Sequence, residues 1–231
     1  MKKPGDDDAG WEELARQDPY FPLLADGSTV ANDAFFKTGE DDLSALLAAT
    51  STLFSRDVRL DSVLDFGCGA GRLTLPLAKR AGHVVACDIA PTMLSHARQN
   101  ADRAGLRNIT FQLCEEVTAS AHASFDFVCS LLVFQYIPPS IGYALISALA
   151  KRLHRDGVAA IQLRLYGQGK LHRFASFTRA RCPFATLPFT QIQRYEERLV
   201  VRAVEKAGAS VVARLPTGEH SDDAVLIVRR T

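Results

Sequence analysis

The sequence lacks the features that mark membrane-spanning, metal-binding and secreted proteins. It has no run of about 20 apolar residues, the length that a membrane-spanning helix requires. Its five cysteines form no C-x-x-C pair and no short-spaced cluster with histidine. They therefore favour buried, reduced thiols in a cytoplasmic protein and predict no metal site. The first residues carry lysines without an apolar core behind them, which is not the pattern of a secretory signal.

Net charge is also nearly absent, because 27 lysines and arginines stand against 26 acids, giving a formal net charge of +1. This balance argues against nucleic acid or an anionic membrane as a partner. Acids are concentrated before Leu47, whereas bases are concentrated between Arg164 and Lys206. Two solvated faces would explain the asymmetry, and so would a basic segment that attracts an acidic small-molecule substrate.

From Ser62 onward, short apolar runs alternate with segments of helical periodicity, a pattern typical of βαβ units and a parallel sheet. After Gly208, two further runs separated by a short loop favour an antiparallel hairpin. We therefore expect a doubly wound, mainly parallel, seven-stranded α/β sheet of Rossmann-like type, with an antiparallel C-terminal edge. The predicted strands are Ser62–Phe66, His83–Cys87, Asn108–Leu113, Phe125–Ser130, Val158–Leu163, Ser210–Leu215 and Ala224–Arg229. The predicted helices are one from Asp41 or Asp42, Arg72–Ala81, one from Pro91, Ile141–Leu153 and Arg194–Ala207.

Composition divides the chain into three zones. Residues 1–10 are charged and have little to bury, so we expect a disordered tail. Residues 11–57 are helical and aromatic in pattern and form a predicted N-terminal helical cap. Residues 58–231 form the main domain, with a substrate-side insertion at residues 166–192 in which aromatic and basic side chains interleave.

A glycine-rich turn follows the first predicted strand, in the run Asp65-Phe66-Gly67-Cys68-Gly69-Ala70-Gly71. Glycines at this place allow a tight turn, close approach of a ligand and close helix–strand packing, and packing alone would also justify them. The spacing G-x-G-x-G differs from the G-x-G-x-x-G of dinucleotide-binding proteins. A carboxylate before the glycines suits the cationic amino group of a methionine moiety better than a pyrophosphate, which it would repel.

A second acid, Asp88, ends the second predicted strand, 19 residues after Gly69. A carboxylate at this point can accept hydrogen bonds from both ribose hydroxyls. The alternative is that Asp88 only stabilises the start of the following helix through the helix dipole. Together with the glycine-rich turn, the acid favours a ligand that contains a nucleoside.

Four runs resemble the motif series of class I S-adenosylmethionine-dependent methyltransferases: VLDFGCGAGR, ACDIAPTML, FDFVCSLLVFQYIP and LHRDG. They extend across roughly residues 60–165. The earlier segments DPYF and FFKTGEDD look like a bacterial branch that acts on small molecules or glycans. The resemblance implies S-adenosyl-L-methionine as cofactor and methyl transfer to an oxygen or nitrogen of such an acceptor. LHRDG departs from the usual LKPGG-like turn, and we expect Gly157 to preserve that turn.

The resemblance also implies which residues hold the cofactor. The methionine part would lie along the glycine-rich turn, the ribose on Asp88, and the adenine between Ile89 and Met93. Glu115 is the best match for the acid that binds the adenine amino group. The full implied set is Asp65, Gly67, Cys68, Gly69, Gly71, Asp88, Ile89, Met93, Cys114, Glu115, Ser130 and Leu131.

The acceptor side has weaker signals. Gln135 and Tyr136 follow the fourth strand, but Tyr136 stands where related sequences often have histidine. His172 in the insertion is a candidate general base, which an alcohol acceptor would require. Packing or a polar network explains Gln135 and Tyr136 at least as well, and a surface position explains His172 better. Candidate acceptor-binding residues are Tyr20, Phe35 and Phe36, which core packing would also explain, and Arg173 and Arg179, which suit a carboxylate or phosphate.

Two other functions stay open at this point. Aromatic residues interleaved with bases are also typical of proteins that bind single-stranded RNA, which would indicate an RNA or protein methyltransferase. The glycine-rich turn by itself would equally fit a non-catalytic nucleotide-binding α/β protein.

Overall fold

The computed structural model describes residues 6–20, 32–119, 124–166, 191–217 and 222–231. The strands are β1 (Ser62–Phe66), β2 (His83–Asp88), β3 (Ile109–Leu113), β4 (Phe125–Ser130), β5 (Leu153–Arg164), β6 (Ala209–Pro216) and β7 (Asp223–Arg230). The helices are α1 (Asp6–Gln17), α2 (Asn32–Phe54), α3 (Thr74–Ala78), α4 (Pro91–Arg103), α5 (Cys114–Ala119), α6 (Pro139–Lys151) and α7 (Glu197–Glu205), with a short 3-10 helix at Phe134–Tyr136. Within these ranges no helix combines the length and the apolar character needed to cross a membrane.

The seven strands belong to a mixed sheet, which confirms the predicted fold class. The parallel strands run in the order β3-β2-β1-β4, and the antiparallel strands run in the order β5-β7-β6. By compactness the chain divides into two units, Met1–Cys129 and Ser130–Thr231. The division into a disordered tail, a helical cap and a main domain remains a prediction.

The first unit is built around the parallel strands. β1 and β4 are almost entirely buried, as expected for parallel strands that helices cover on both faces. Helix α4 packs on this sheet through Leu94 and Ala97, which lie with Ala86 and Cys68 in one apolar cluster. This packing brings the start of α4 next to the carboxyl end of β2, where Asp88 stands.

The second unit is held together by the β5–β7–β6 ladder and by a buried tyrosine. Tyr195 is fully buried, and its hydroxyl donates a hydrogen bond of 2.6 Å to the carbonyl of Ile137. Gly142 in α6 makes room for this ring, because a Cβ atom there would lie 2.1 Å from the tyrosine hydroxyl. At the sheet edge, β6 has a bulge between Val211 and Ala213, an irregularity that discourages edge-to-edge pairing.

Two helices start earlier than the sequence predicts. α1 begins at Asp6, inside the segment predicted to be a disordered tail, because Leu14 and Ala15 give the helix a buried face that composition does not reveal. α2 begins at Asn32 and not at Asp41 or Asp42. Its buried side chains already start at Phe35 and recur at helical spacing, so the aromatic residues belong to the helix.

Other boundaries also differ. α3 spans only Thr74–Ala78, because the chain from Gly71 to Leu73 is still part of the turn. β5 begins at Leu153, so the run LHRDG lies within a strand. Gly157 was expected to preserve a turn here, but the residue with the left-handed conformation is Asp156, with φ 63°. Aspartate tolerates this conformation better than most residues do.

Candidate functional site

The glycine-rich turn, residues 67–71, is fastened to the end of β2. Gly67, Gly69 and Gly71 have φ angles of 78°, 53° and 96°, a region that favours glycine. The backbone N–H groups of Gly67 and Cys68 both donate to the carbonyl of Cys87, at 2.8 Å each. The turn is therefore held in one conformation at the carboxyl edge of the parallel strands, where ligands of open α/β sheets bind.

The second and third glycines of the turn have different surroundings. A Cβ atom on Gly71 would lie 2.9 Å from Leu75 Cδ1 and 3.5 Å from Ala97 Cβ, so this glycine serves the packing of the turn on α3 and α4. A Cβ atom on Gly69 would meet nothing within 4 Å. Gly69 thus leaves its backbone open to a ligand, which packing alone does not explain.

Asp88 connects this turn to helix α4. Its side chain is buried, and its two carboxylate oxygens accept hydrogen bonds from Gly69 N at 2.8 Å and from Ala90 N at 3.0 Å. Burial raises the pKa of Asp88, the backbone N–H groups oppose this effect, and the nearby charge of Glu12 adds to it. A carboxylate can accept about four hydrogen bonds, so each oxygen has room for a ligand donor. Next to it, Ile89 is 43% exposed, a large apolar surface beside a buried acid.

Asp65 lies fully inside the protein at the end of β1. The hydroxyl of Thr74 donates a hydrogen bond of 2.6 Å to its carboxylate. Burial raises the pKa of Asp65 to about 6, although the hydrogen bond from Thr74 and the positive charge of Arg72 act in the opposite direction. An acid with a shifted pKa beside a glycine-rich turn is a candidate for binding a cationic group.

Arg72 fixes the far end of the turn to helix α2. Its guanidinium is buried and lies 2.6 Å from a carboxylate oxygen of Asp42. The helix approaches so closely that a Cβ atom on Gly39 would lie 2.1 Å from the carbonyl oxygen of Arg72. Neither the ion pair nor this contact was part of the sequence-based prediction.

We expect Gly39→Ala to lower the free energy of unfolding by about 1–3 kcal/mol, because two stretches of backbone would have to separate. Helix propensity alone predicts the opposite sign, a gain of about 1 kcal/mol. Chemical denaturation measures the change, and Ala45→Gly at an exposed position of the same helix calibrates the propensity effect. A more stable Gly39→Ala variant would contradict the close approach.

Three thiols line the same region. Cys68 and Cys87 are buried, and the sulfur of Cys87 lies 3.4 Å from that of half-buried Cys114. Burial raises the pKa of both Cys68 and Cys87, so these thiols stay protonated. They act as small apolar groups and not as nucleophiles.

At the end of β3, two glutamates begin helix α5. Glu116 accepts a hydrogen bond of 3.0 Å from the backbone N–H of Leu113, so its carboxylate caps the helix. Glu115, the predicted adenine-binding acid, is exposed beside it. Because β2 pairs with β3 so that Asp88 is opposite Leu113, both glutamates follow the strand that neighbours Asp88.

Met93, predicted to contact the adenine, is buried with Ala90 and with Ala15 of helix α1, and Trp11 packs against this cluster. Glu12 of α1 accepts hydrogen bonds from the backbone N–H of Thr92, at 3.0 Å, and from its hydroxyl. Sequence reasoning missed α1 as a neighbour of this region. One signal was present: Ala90, which precedes helix α4, has no side chain able to cap it.

The segment after β4 holds the predicted acceptor-side residues. Ser130 is the buried last residue of β4, and half-buried Leu131 follows it. Leu132 has φ 63°, a strained conformation for leucine. Its N–H donates a hydrogen bond of 3.0 Å to the side chain of Gln162 in β5. No sequence signal predicted this strain or the role of Gln162.

Gln135 and Tyr136 lie in the 3-10 helix that follows. The carbonyl of Gln135 accepts a hydrogen bond of 2.7 Å from Gln193 N, and its amide nitrogen lies 3.5 Å from the carbonyl of Leu132. Gln135 is buried, whereas Tyr136 is half-buried. The structure therefore gives Gln135 a packing role, and a role in acceptor binding remains a prediction for both residues.

The predicted acceptor-binding aromatics lie together. The ring centroids of Tyr20 and Phe35 are 4.9 Å apart, and those of Phe35 and Phe36 are 5.1 Å apart. Phe35 is buried, so its ring belongs to the core, and the exposed parts of this cluster come from the other two. The remaining predicted residues, His172, Arg173 and Arg179, lie outside the described part of the chain.

The charges on the described ends of the basic segment are partly neutralised. Arg164 is paired with Asp223 at 3.1 Å, and Arg194 with Asp222 at 2.7 Å. These pairs favour a structural role for those arginines. Among the described residues there is no group of three or more histidine, cysteine, aspartate or glutamate side chains placed to hold a metal ion.

Comparisons with known proteins match this geometry. A family model described as "Methyltransferase domain" matches residues 63–157, which contain the glycine-rich turn and Asp88. A 23S rRNA uracil-C5-methyltransferase of Klebsiella pneumoniae is 49% identical over 70 residues, which is 29% of this chain and 16% of that protein. An aklanonic acid methyltransferase of Streptomyces is 37% identical over 92 residues, 38% of this chain and 42% of that protein.

The whole fold has counterparts among solved structures. Magnesium protoporphyrin IX methyltransferase of Synechocystis, determined with bound S-adenosylhomocysteine, superposes with a TM-score of 0.67. The two chains are 21% identical, and the match covers 96% of this chain and 99% of that one. At this identity the likeness shows the fold. The chain spans less than half the length of these curated relatives.

Proposed function

We propose that this chain is a class I methyltransferase, which binds S-adenosylmethionine at the carboxyl edge of β1, β2 and β3 and transfers its methyl group to a small molecule or glycan. The observation that carries the proposal is the contact between the open Gly69 and the buried Asp88. It places an accessible backbone and a carboxylate with unused acceptor capacity side by side, as a nucleoside ligand requires.

The residues of the turn fit the parts of this cofactor. The oxygens of Asp88 accept hydrogen bonds from the backbone of Gly69 and Ala90, and a carboxylate has about four acceptor sites, so capacity remains for a ribose hydroxyl. Ile89 offers its exposed apolar surface to a base ring. Asp65, in its ionised form, would attract the cationic amino group of the methionine part. In this proposal, Glu115 reaches the amino group of the adenine and the half-buried thiol of Cys114 lines the same side.

When bound, the cofactor supplies a methyl carbon that its sulfonium has already activated. The protein then has to orient the acceptor and exclude water. Gln135 and Tyr136 are the proposed contacts to the acceptor, because they follow β4. From the sequence, the candidate for proton removal is still His172. The candidates for binding an acidic acceptor are still Arg173 and Arg179. Free, buried thiols agree with a cytoplasmic location.

A small molecule is the favoured acceptor class. The Streptomyces relative and the Synechocystis neighbour are both named for small-molecule acceptors, and the structural match covers nearly the full length of both chains. The rRNA methyltransferase matches over only 16% of its own length. The net charge of +1 also gives no basis for a general attraction to RNA.

Calorimetry with S-adenosylhomocysteine, S-adenosylmethionine and NAD as separate ligands tests the cofactor assignment. We expect heat of binding for the first two and none for NAD; binding of NAD alone would contradict the proposal. Transfer from methyl-labelled S-adenosylmethionine to caffeate, glucosamine and ribosomal RNA tests the acceptor class. Label in the RNA and in neither small molecule would contradict the assignment to small acceptors.

A further inference from the structure

Helix α4 begins without a cap of its own. Ala90 precedes the helix in an extended conformation and offers no side-chain hydrogen bond, and Pro91 has no N–H. The first N–H of the helix is therefore that of Thr92, at a position where a capping oxygen normally accepts it. In this protein the oxygen comes from Glu12, which is 80 residues away in the sequence.

Through Glu12, helix α1 is attached to the start of helix α4. One of its oxygens accepts the N–H of Thr92 at 3.0 Å, and the other accepts the hydroxyl of the same residue. Arg16, on the next turn of α1, lies 3.2 Å from Glu12 and holds the carboxylate in place. These hydrogen bonds lower the pKa of Glu12, with the bond from Thr92 as the largest cause, so the side chain is ionised near neutral pH.

Two carboxylates thus hold the short turn between β2 and α4. Asp88 accepts the N–H of Ala90 from one side, and Glu12 accepts the N–H of Thr92 from the other. Ile89, the exposed apolar residue of the turn, directly precedes the first of these two attachment points. On the inner side, Met93 and Ala90 are covered by Ala15 of α1.

We propose that Glu12 is a positioning residue of the cofactor site, which holds the Asp88–Ala90 turn in the conformation that receives the ribose and the adenine. This inference rests on the proposed function. The residues that carry it, Trp11, Glu12 and Ala15, lie outside the region that the family model matches. Glu12 does not contact the cofactor in this proposal; it acts through the backbone of the turn.

Thermodynamic linkage gives the proposal a quantitative form. If docking of α1 strengthens cofactor binding by some factor, then cofactor binding must strengthen the docking of α1 by the same factor. Coupling between two sites in one protein commonly amounts to about 5- to 150-fold. Trp11 is the only tryptophan of the chain and packs against the docked face, so its fluorescence reports on α1 alone.

The test compares Glu12→Ala with Glu13→Ala. Glu13 neighbours Glu12 on the same helix, and its hydrogen bond is with Gln17 of α1 itself, so the pair differs in the contact to α4. We expect Glu12→Ala to weaken binding of S-adenosylhomocysteine about tenfold by calorimetry, and Glu13→Ala to leave it unchanged. Glu12→Gln retains an oxygen that can accept the N–H of Thr92 and should recover most of the affinity.

The tryptophan provides the second readout. In Glu12→Ala, acrylamide should quench Trp11 more strongly than in the wild type, and saturating S-adenosylhomocysteine should reverse most of that increase. An affinity equal to that of the wild type, or quenching that the ligand does not change, would overturn the role of Glu12. A wild-type protein that binds neither S-adenosylhomocysteine nor S-adenosylmethionine would instead overturn the proposed function.

Discussion

Asp88→Asn is expected to weaken binding of S-adenosylmethionine by at least about 100-fold. Hydrogen bonds to a charged acceptor contribute about 1.5–3 kcal/mol each, and the two ribose hydroxyls would no longer donate to a charged carboxylate. The amide that replaces the carboxylate also has only one accepting atom. Its oxygen can serve either Gly69 or Ala90, whose N–H groups now bind different oxygens. The amide nitrogen then faces the other N–H, so the turn is displaced as well.

Calorimetry of the variant measures this loss, and thermal unfolding shows whether the fold is retained. Asp57→Asn, at an exposed position shortly before β1, is the matched control and should bind like the wild type. Asp88→Ala removes both acceptors and leaves two N–H groups without a partner, at a cost of about 1–3 kcal/mol each. An unchanged cofactor affinity in Asp88→Asn would show that the acid only caps α4, the alternative that the sequence left open.

Much of the parallel part of the fold can be predicted from sequence because each signal is local. Buried parallel strands are continuous apolar runs, such as Ser62–Phe66, and their limits agree with the structure. The same holds for the glycine-rich turn, because a left-handed conformation at Gly67 or Gly69 requires glycine. The position of Asp88 at the end of β2 could also be predicted, because the apolar run before it marks the strand.

What the sequence could not predict depends on contacts between distant residues. Glu12 and Thr92 are 80 residues apart, and neither carries a signal that points to the other. Composition predicts disorder for the first residues, but burial of Ala15 against α4 extends a helix into them. In the same way, the N–H of Leu132 donates a hydrogen bond to Gln162, 30 residues later, a contact that periodicity cannot reveal. Tertiary contacts decided these elements, and local propensity did not.

Asp65→Asn is expected to make the cofactor-free protein more stable and its cofactor binding weaker. Burial raises the pKa of Asp65 to about 6, from an ordinary value of 3.8. The folded state therefore binds a proton more tightly than the unfolded state, and stability falls as the pH rises from about 4 to about 6. Above that range the buried charge costs up to about 3 kcal/mol. Asparagine removes this cost, and its carbonyl oxygen can still accept the hydrogen bond from Thr74.

The expected gain in the free energy of unfolding is about 1–3 kcal/mol at pH 7.5, and it should vanish at about pH 3, below both pKa values, where the wild-type acid is protonated in the folded and the unfolded state. Arg72 does not lose its ion pair in this variant, because its guanidinium binds Asp42 directly. Denaturation at the two pH values measures the difference. A variant that is no more stable than the wild type at pH 7.5 would show that Asp65 is not held as a costly buried charge.

The same substitution is expected to weaken cofactor binding, although it stabilises the cofactor-free protein. If ionised Asp65 attracts the amino group of S-adenosylmethionine, the affinity of the wild type should fall as the pH drops through about 6, because protonation removes the attracting charge. In Asp65→Asn the affinity should be lower, by about tenfold or more, and should lack this step between pH 5 and pH 7. A step of equal size in both proteins would assign the titration to another group. A buried acid that destabilises the empty protein is retained when the ligand requires its charge, because natural proteins commonly trade stability for function at such sites.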